Sequence, residues 1–359
     1  TGDGFIFNED AGTPFLQITD VDFTTTNGIP QIVVYIDGFF LVTTDSKKFK
    51  ISSLNDGLTW NALDFGTAEA DPDDIVAPHV HQNQLYIFGS QTFERFQNIG
   101  GAAFPFQRVS GGVIDKGLFA KFSIIETNNS FVWIGNGVNE APAIWQSTGG
   151  IPQKISTTAI EVALQSFGRD VVLDAFSWSY AEKGAFFIGF SLPTTAFVVD
   201  VVTGRWHERR SLINNVLTRY RVNSMITAYG RVLVGDSEDG RIGEIAEIND
   251  EYGENIFRRF STQPFSNQDM AFFNGSVELT IESGVGNATV PNPQIRMDFS
   301  DDGKTFGTPR SRAMGKVGEF FRRCIWRRLG RIPRFRVFRW TMTDQVVTNV
   351  IKLEADFSG

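Results

Sequence analysis

Apolar residues recur along this chain in short runs, and pairs of runs are separated by two polar or turn-forming residues. Ile32–Ile36 and Phe39–Val42 flank Asp37-Gly38. Asp-Gly between two apolar runs predicts a hairpin, because a type I′ turn needs positive φ at both central residues. The pattern returns four times. Ile75–Val80 and Leu85–Phe88 flank Gln82-Asn83, and Phe122–Ile125 and Phe131–Ile134 flank Asn128-Asn129. Ala175–Tyr180 and Ala185–Ile188 flank Lys183-Gly184, and Ser224–Ala228 and Arg231–Val234 flank Tyr229-Gly230. The residues just after the second strands are Thr43, Gly89, Gly135, Gly189 and Gly235, at spacings of 46, 46, 54 and 46. Each unit continues with two more strand-like pieces. The third pieces are Phe49–Ser53, Phe93–Gln97, Ala143–Gln146, Ala196–Val201 and Arg241–Ala246; the fourth are Thr59–Asp64, Phe106–Val109, Pro152–Ile155, Arg205–Glu208 and Ile256–Phe260.

Four strands at a period in the forties predict the blades of a β-propeller, since a sandwich has no reason to hold that period. The expected fold is all-β: a propeller of four-stranded blades over 1–254, then a small C-terminal β region over 255–359. Five blades are visible. Gly4–Asn8 and Phe15–Thr19 are candidates for a sixth, closed by strands from elsewhere. The chain starts at Thr1 without an initiator Met, as a fragment or a processed form would. One helix is expected after the third blade, with Ile160, Ala163, Leu164 and Phe167 on one face. Thr158 and Glu161 suggest a capping box and Gly168 an end. In the C-terminal region Ser276–Glu282, Gln294–Phe299, Phe335–Thr343 and Asn349–Ala355 alternate like strands.

Composition supports this class. There are 34 Phe against 16 Leu, a balance that favours strands over helices. Cys324 is the only cysteine, so a disulfide scaffold and a multi-cysteine zinc site are excluded. No apolar run reaches membrane-spanning length. The net charge of −8 is unevenly placed. Lys304–Trp340 holds twelve Lys and Arg against one acid, Glu319, leaving −19 for the rest. The expectation is an acidic body with a basic arm at 304–340, not a uniformly basic nucleic-acid-binding domain.

Candidate chemistry is sparse. Ser53–Trp60 is similar to the Asp-box hairpin of sialidase-type propellers, with Asn55 in the Asp place, and Asp301, Gly303, Thr305 and Phe306 repeat it weakly with Phe299 in the Ser place. Such a box is a turn, in which an Asx side chain bonds backbone N–H groups and an aromatic ring packs beneath. His79-x-His81 places two rings on one strand face, beside Glu69, Asp71, Asp73 and Asp74, but Cys partners are lacking and His207 is the only other histidine. No nucleophile elbow, P-loop or dinucleotide fingerprint is present, so no catalytic residues, metal or cofactor are expected. The basic segment interleaves Arg322, Arg323, Arg327, Arg328, Arg331, Arg334, Arg336 and Arg339 with Phe320, Phe321, Trp326, Phe335, Phe338 and Trp340. Arg322, Arg323, Arg327, Arg328, Arg331 and Trp326 are the candidate docking residues. Their partner is either an acidic surface or nucleic-acid phosphate with stacked bases. Arg336 alternates within Phe335–Trp340, so part of the set is expected on an exposed strand face.

Several stretches together resemble one family. Leu85–Phe96 (LYIFGSQTFERF), Lys116-Gly117, Pro152 to Ile160-Glu161, Val198-Val199-Asp200 with Trp206, and Trp326–Ile332 (WRRLGRI) resemble, in order and spacing, segments of the P22-like packaged DNA stabilisation proteins of short-tailed phages. The resemblance runs over roughly 30–355, and that family's chain begins upstream of the point matching Thr1. It implies a non-enzymatic tail hub or nozzle, usually hexameric, assembled in the host cytoplasm. Such a hub sits below the portal and adaptor, extends the DNA channel, retains packaged DNA, and carries the tail needle and spikes. DNA would pass without sequence-specific binding. The competing readings are a glycan-binding or sialidase-like Asp-box propeller and a direct nucleic-acid binder acting through 304–340.

Overall fold

The hairpin turns adopt the backbone that their sequences demand. φ is positive at both central residues of Asp37-Gly38, Gln82-Asn83, Lys183-Gly184 and Tyr229-Gly230, between 48° and 87°. The structure, a computed structural model, describes residues 2–9, 12–69, 73–101, 104–127 and 129–358. Asn128, in the remaining turn, lies outside the described residues. The chain forms two units, Thr1–Arg209 with Asn223–Thr227, and Arg210–Val222 with Ala228–Gly359.

The first sheet runs Pro30–Ile36, Phe39–Thr44, Lys48–Ser53 and Asp56–Thr67, neighbours in chain order. The second repeats this order with Ile75–His81, Gln84–Gly89, Phe93–Asn98 and Phe106–Ile114. The fourth does so with Phe176–Glu182, Ala185–Ser191, Ala196–Asp200 and Arg205–Ile213, and adds Val216–Arg219. Strand alternation decides which sheet each face meets. Leu85 and Ile87 join Leu41, Phe49 and Ile51 of the first sheet in one core. Tyr86 and Phe88 point the other way and join Phe131 and Trp133 of the third sheet. Val132 and Ile134, on the opposite face of that strand, meet Ile188 and Phe190 of the fourth. Sheets stacked face to face bury both sides of their central strands, so Leu85–Phe88 and Phe131–Ile134 read as unbroken apolar runs.

At Gly135 and Gly189 the small residue after the second strand has a steric cause. A Cβ on Gly189 would run into the Trp178 ring, and one on Gly135 into the Trp133 ring and the Gly117 carbonyl.

Three local expectations are corrected. The first strand of the third sheet is broken: Gly117–Leu118 and Ile125–Thr127 both pair with Ser130–Asn136, and Phe122 instead bridges Phe176. In the gap the Ser123 hydroxyl donates to the Ala120 carbonyl and accepts from Ile134 N–H, replacing the missing ladder. The helix Thr158–Phe167 buries Ile160 and Leu164, but its N-cap is Thr157, which makes no side-chain cap. Glu161 accepts instead from Ser156 Oγ and Lys154. The fifth sheet has three strands, Val222–Ala228, Arg231–Asp236 and Ile242–Glu244. Its expected fourth piece becomes Arg258–Ser261, which pairs with Phe335–Met342 because Phe260 stacks on Trp340 with centroids 5.3 Å apart.

The C-terminal region folds as two sheets around one core. One sheet has the order Arg258–Ser261, Phe335–Met342, Gln294–Ser300 and Arg310–Ala313, with Phe265–Ser266 also on Phe335–Met342. The other has Phe272–Ile281 between Cys324–Ile332 and Val350–Ser358. Val277, Leu279, Ile295, Met297, Trp326, Phe338 and Trp340 meet between them. The expected basic arm is therefore no arm: Arg310–Ala313, Cys324–Ile332 and Phe335–Met342 are strands of these sheets.

A candidate docking surface on the C-terminal sheets

The arginine face arises from a break in alternation. In Cys324–Ile332 the buried residues are Cys324, Trp326, Leu329 and Ile332. Strict period two would place Arg328 inside. Instead Arg328 takes φ of 57° and Gly330 81°, and the register against Phe272–Ile281 slips opposite Asn274 and Ser276. A bulge of this kind re-aims side chains. Arg327 and Arg328 both project outward while Leu329 regains the core.

Arg327, Arg328, Arg323, Arg312 and Ile325 line an open basin of about 580 Å³. Two of its guanidinium groups are held in place. Arg312 Nε donates to the Ile325 carbonyl at 2.7 Å, across the gap between two sheet edges. Arg323 Nε donates to Glu278 Oε1 at 2.7 Å, while its NH2 reaches Oε2. That hydrogen-bonded pairing holds the Glu278 carboxyl below its ordinary range. Arg327 and Arg328 form no ion pair among the described residues, although Arg327 adds to the field that lowers Glu278.

The other arginines divide between structural and exposed roles. Arg336 is buried, against the expectation of an exposed strand face. It forks onto Asp301 at 2.6 and 2.8 Å and also donates to the carbonyls of Leu329 and Arg331. Arg339 pairs with Asp298 and Arg334 with Asp269. Arg322 and Arg331 are exposed and lie outside the basin lining. Trp326 is corrected as a docking residue: its ring is fully buried and its Nε1 donates to the Arg310 carbonyl at 2.7 Å. It is the floor beneath the arginine face.

Sequence reasoning named Phe320 and Phe321 within the basic segment but not as docking residues, and it missed Arg312 and, on the adjoining apolar loop, Val317. Val317, Phe320 and Phe321 are exposed, Phe321 by 98%. Gly315 and Gly318, at φ of 102° and 86°, shape this loop. The Arg310-Ser311-Arg312 alternation and the glycine spacing were the available signals.

The remaining motifs are absorbed by the fold. Trp60 packs on Phe23 at 4.9 Å and bonds the Gly57 carbonyl, and Asp56 accepts from Leu58 N–H, so the first Asp-box is a hairpin clamp. In the second, Asp302 and Ser300 carry the turn in place of Asp301 and Phe299. Asp302 accepts from the Ser300 hydroxyl and then from the backbone N–H groups of Thr305 and Lys304, which together hold its carboxyl far below the usual range. His79 and His81 share a face, pack edge-on against Phe131, and reach Glu126 Oε1 at 3.5 and 3.0 Å. Burial, with His81 adding repulsion, pushes His79 down to about 4. Asp73 accepts from Gln91 and Thr92 backbone N–H groups; Asp71 lies outside the described residues. Burial pushes the Cys324 thiol up to about 11, away from thiolate chemistry. No group of three His, Cys, Asp or Glu among the described residues is placed to hold a metal. No helix among them is long and apolar enough to cross a membrane.

Stacked antiparallel sheets followed by a two-sheet module define a propeller–sandwich chain, and comparison with known proteins gives the same two modules in the same order. The family model described as bacteriophage P22 Gp10, beta-propeller, matches residues 2–248, and the one described as bacteriophage P22 Gp10, beta-sandwich, matches 258–358. The chain belongs to the bacteriophage P22 Gp10 family. It is 21% identical over 279 residues to tail hub protein gp10 of Salmonella phage P22, covering 76% of this chain and 58% of that relative's length. Among solved structures, the computationally designed Ika8 protein matches with a TM-score of 0.34 at 12% identity, over 60% of this chain and 57% of its own. An exo-beta-1,3-galactanase from Phanerochaete chrysosporium matches with a TM-score of 0.33 at 8% identity, over 92% of this chain and 83% of its own. Likenesses at these scores bear on neither site nor activity.

Proposed function

We propose that this chain is a non-enzymatic structural component of a phage tail hub, working in the virion tail after assembly in the host cytoplasm. In this reading copies form a ring, six-fold as the family resemblance implies, beneath the portal and adaptor. The ring extends the DNA channel, retains packaged DNA, and seats the tail needle and spikes. The observation that carries the reading is the joint match of both modules, in order, to the two Gp10 models over 2–248 and 258–358.

Charge and packing support it. Residues 2–248 hold 17 Lys and Arg against 28 Asp and Glu, a balance of −11. An acidic wall repels phosphate, so DNA slides past it without being bound. Sheets buried on both faces make a stiff body suited to a conduit. The Asp-box residues are consumed by their own turns, so they lend nothing to a glycan site. The test is co-sedimentation with a purified portal–adaptor complex of the same phage. Stoichiometric co-migration is expected; a chain left wholly in the unbound fraction would refute the role.

A further inference from the structure

We infer that the arginine basin and its neighbouring apolar loop form one docking surface, and that its occupant is the acidic propeller of a second copy of this chain. The inference rests on the ring proposed above and names the surface that would close it.

Three observations converge. First, residues 258–358 hold 16 Lys and Arg against 10 Asp and Glu, a surplus of six, whereas 2–248 carry −11. Each copy thus brings both a basic and an acidic surface. A head-to-tail contact between unlike surfaces is the kind that generates rings, and a self-complementary contact does not. Secondly, the basin already shows which anion its geometry suits. Within the basin Arg323 holds the Glu278 carboxylate through two guanidinium nitrogens, so a carboxylate fits this face. Arg327 and Arg328 present the same fork outward beside two guanidiniums fixed by Ile325 and Glu278. Planar forks held in place favour carboxylate recognition at low entropic cost.

Thirdly, the basin is flanked in sequence by exposed apolar side chains. Val317, Phe320 and Phe321 are exposed by 72%, 67% and 98% on the loop that leads into Arg322 and Arg323. Aromatic anchors bordered by arginines are the composition of a protein–protein contact. Duplex DNA offers phosphate to the arginines but no apolar surface to Val317 and Phe321. Protein therefore fits both halves of the surface and DNA fits one.

Sedimentation velocity on the full chain, over a concentration series at low and high salt, tests this. The wild type is expected to self-associate, with an association constant that falls as salt rises. R327E/R328E should weaken it by about a hundredfold, taking about tenfold for each reversed charge. F320S/F321S should weaken it at both salt concentrations alike. K304E, an exposed cation outside the basin lining, should leave it unchanged. Unaltered thermal unfolding of each variant excludes misfolding. A wild type that assembles while R327E/R328E and F320S/F321S assemble equally well overturns the docking surface and leaves the ring standing. A wild type that stays monomeric at every concentration overturns the docking surface, while the portal-bound ring is judged by the co-sedimentation above. If a fluorescent 30-base-pair duplex binds the wild type but not R327E/R328E, while self-association is unchanged, the surface belongs to DNA and the inference is wrong.

Discussion

Arg336 is the residue on which the arginine face mechanically depends. Its side chain is 2% exposed, and it holds both the Asp301 carboxylate and the carbonyls of Leu329 and Arg331, which bracket Gly330 at the bulge. Arg336→Met keeps the aliphatic stem and removes every donor. Breaking a buried ion pair from one side costs roughly 3–5 kcal/mol, because the remaining charge and carbonyls lose their partners. Asp301 is 34% exposed and stays partly hydrated, which places the cost at the lower end, about 3 kcal/mol. Hydrogen exchange by mass spectrometry reads the two modules separately. Peptides spanning Phe335–Met342 should exchange about a hundredfold faster in the variant, since 1.4 kcal/mol is a factor of ten. Peptides spanning Leu85–Phe88 should not change. R336M/D301N should recover part of the loss, because the orphaned charge is gone. A change below about tenfold in Phe335–Met342, or an equal change in both modules, would refute the argument that this buried fork organises the face.

Acid should loosen the propeller before it affects the C-terminal sheets. His79 sits at about 4 in the folded chain against 6.5 unfolded, so its contribution is complete above pH 6.5 and lost as the pH falls to about 4. The loss is roughly 2–3 kcal/mol, reduced somewhat by Glu126 nearby, and H79F should flatten this part of a stability–pH curve measured by urea unfolding. Gly189→Ala drives a methyl into Trp178, which should cost about 1–3 kcal/mol in the same assay. Gly12→Ala, with open space around it, should stay within about 0.5 kcal/mol of the wild type.

The propeller was legible because its signals are local. Asp37-Gly38, Lys183-Gly184 and Tyr229-Gly230 each specify a turn within two residues, and apolar runs such as Leu85–Phe88 follow directly. What stayed hidden depends on distant partners. Nothing near Phe122 says that the Ser123 hydroxyl will replace a stretch of ladder. Ile256–Phe260 reads as a strand, but only the Trp340 ring decides which sheet receives it. Arg336 reads as surface because its charge is visible and Asp301, 35 residues away, is not. Trp326 reads as exposed for the complementary reason: it lies beside Arg327 and Arg328, and only the bulge at Arg328 turns both outward while the indole stays inside. The basin itself joins Arg312 to Arg327 and Arg328 across two sheets, a juxtaposition that spacing alone does not encode.

The proposed role requires that this chain form a ring in the tail. The most direct measurement is electron cryomicroscopy of the chain incubated with its portal–adaptor complex. Additional density coaxial with the connector is expected, six copies arranged around an open channel. A connector with no added density, or single copies bound off the axis, would contradict the role.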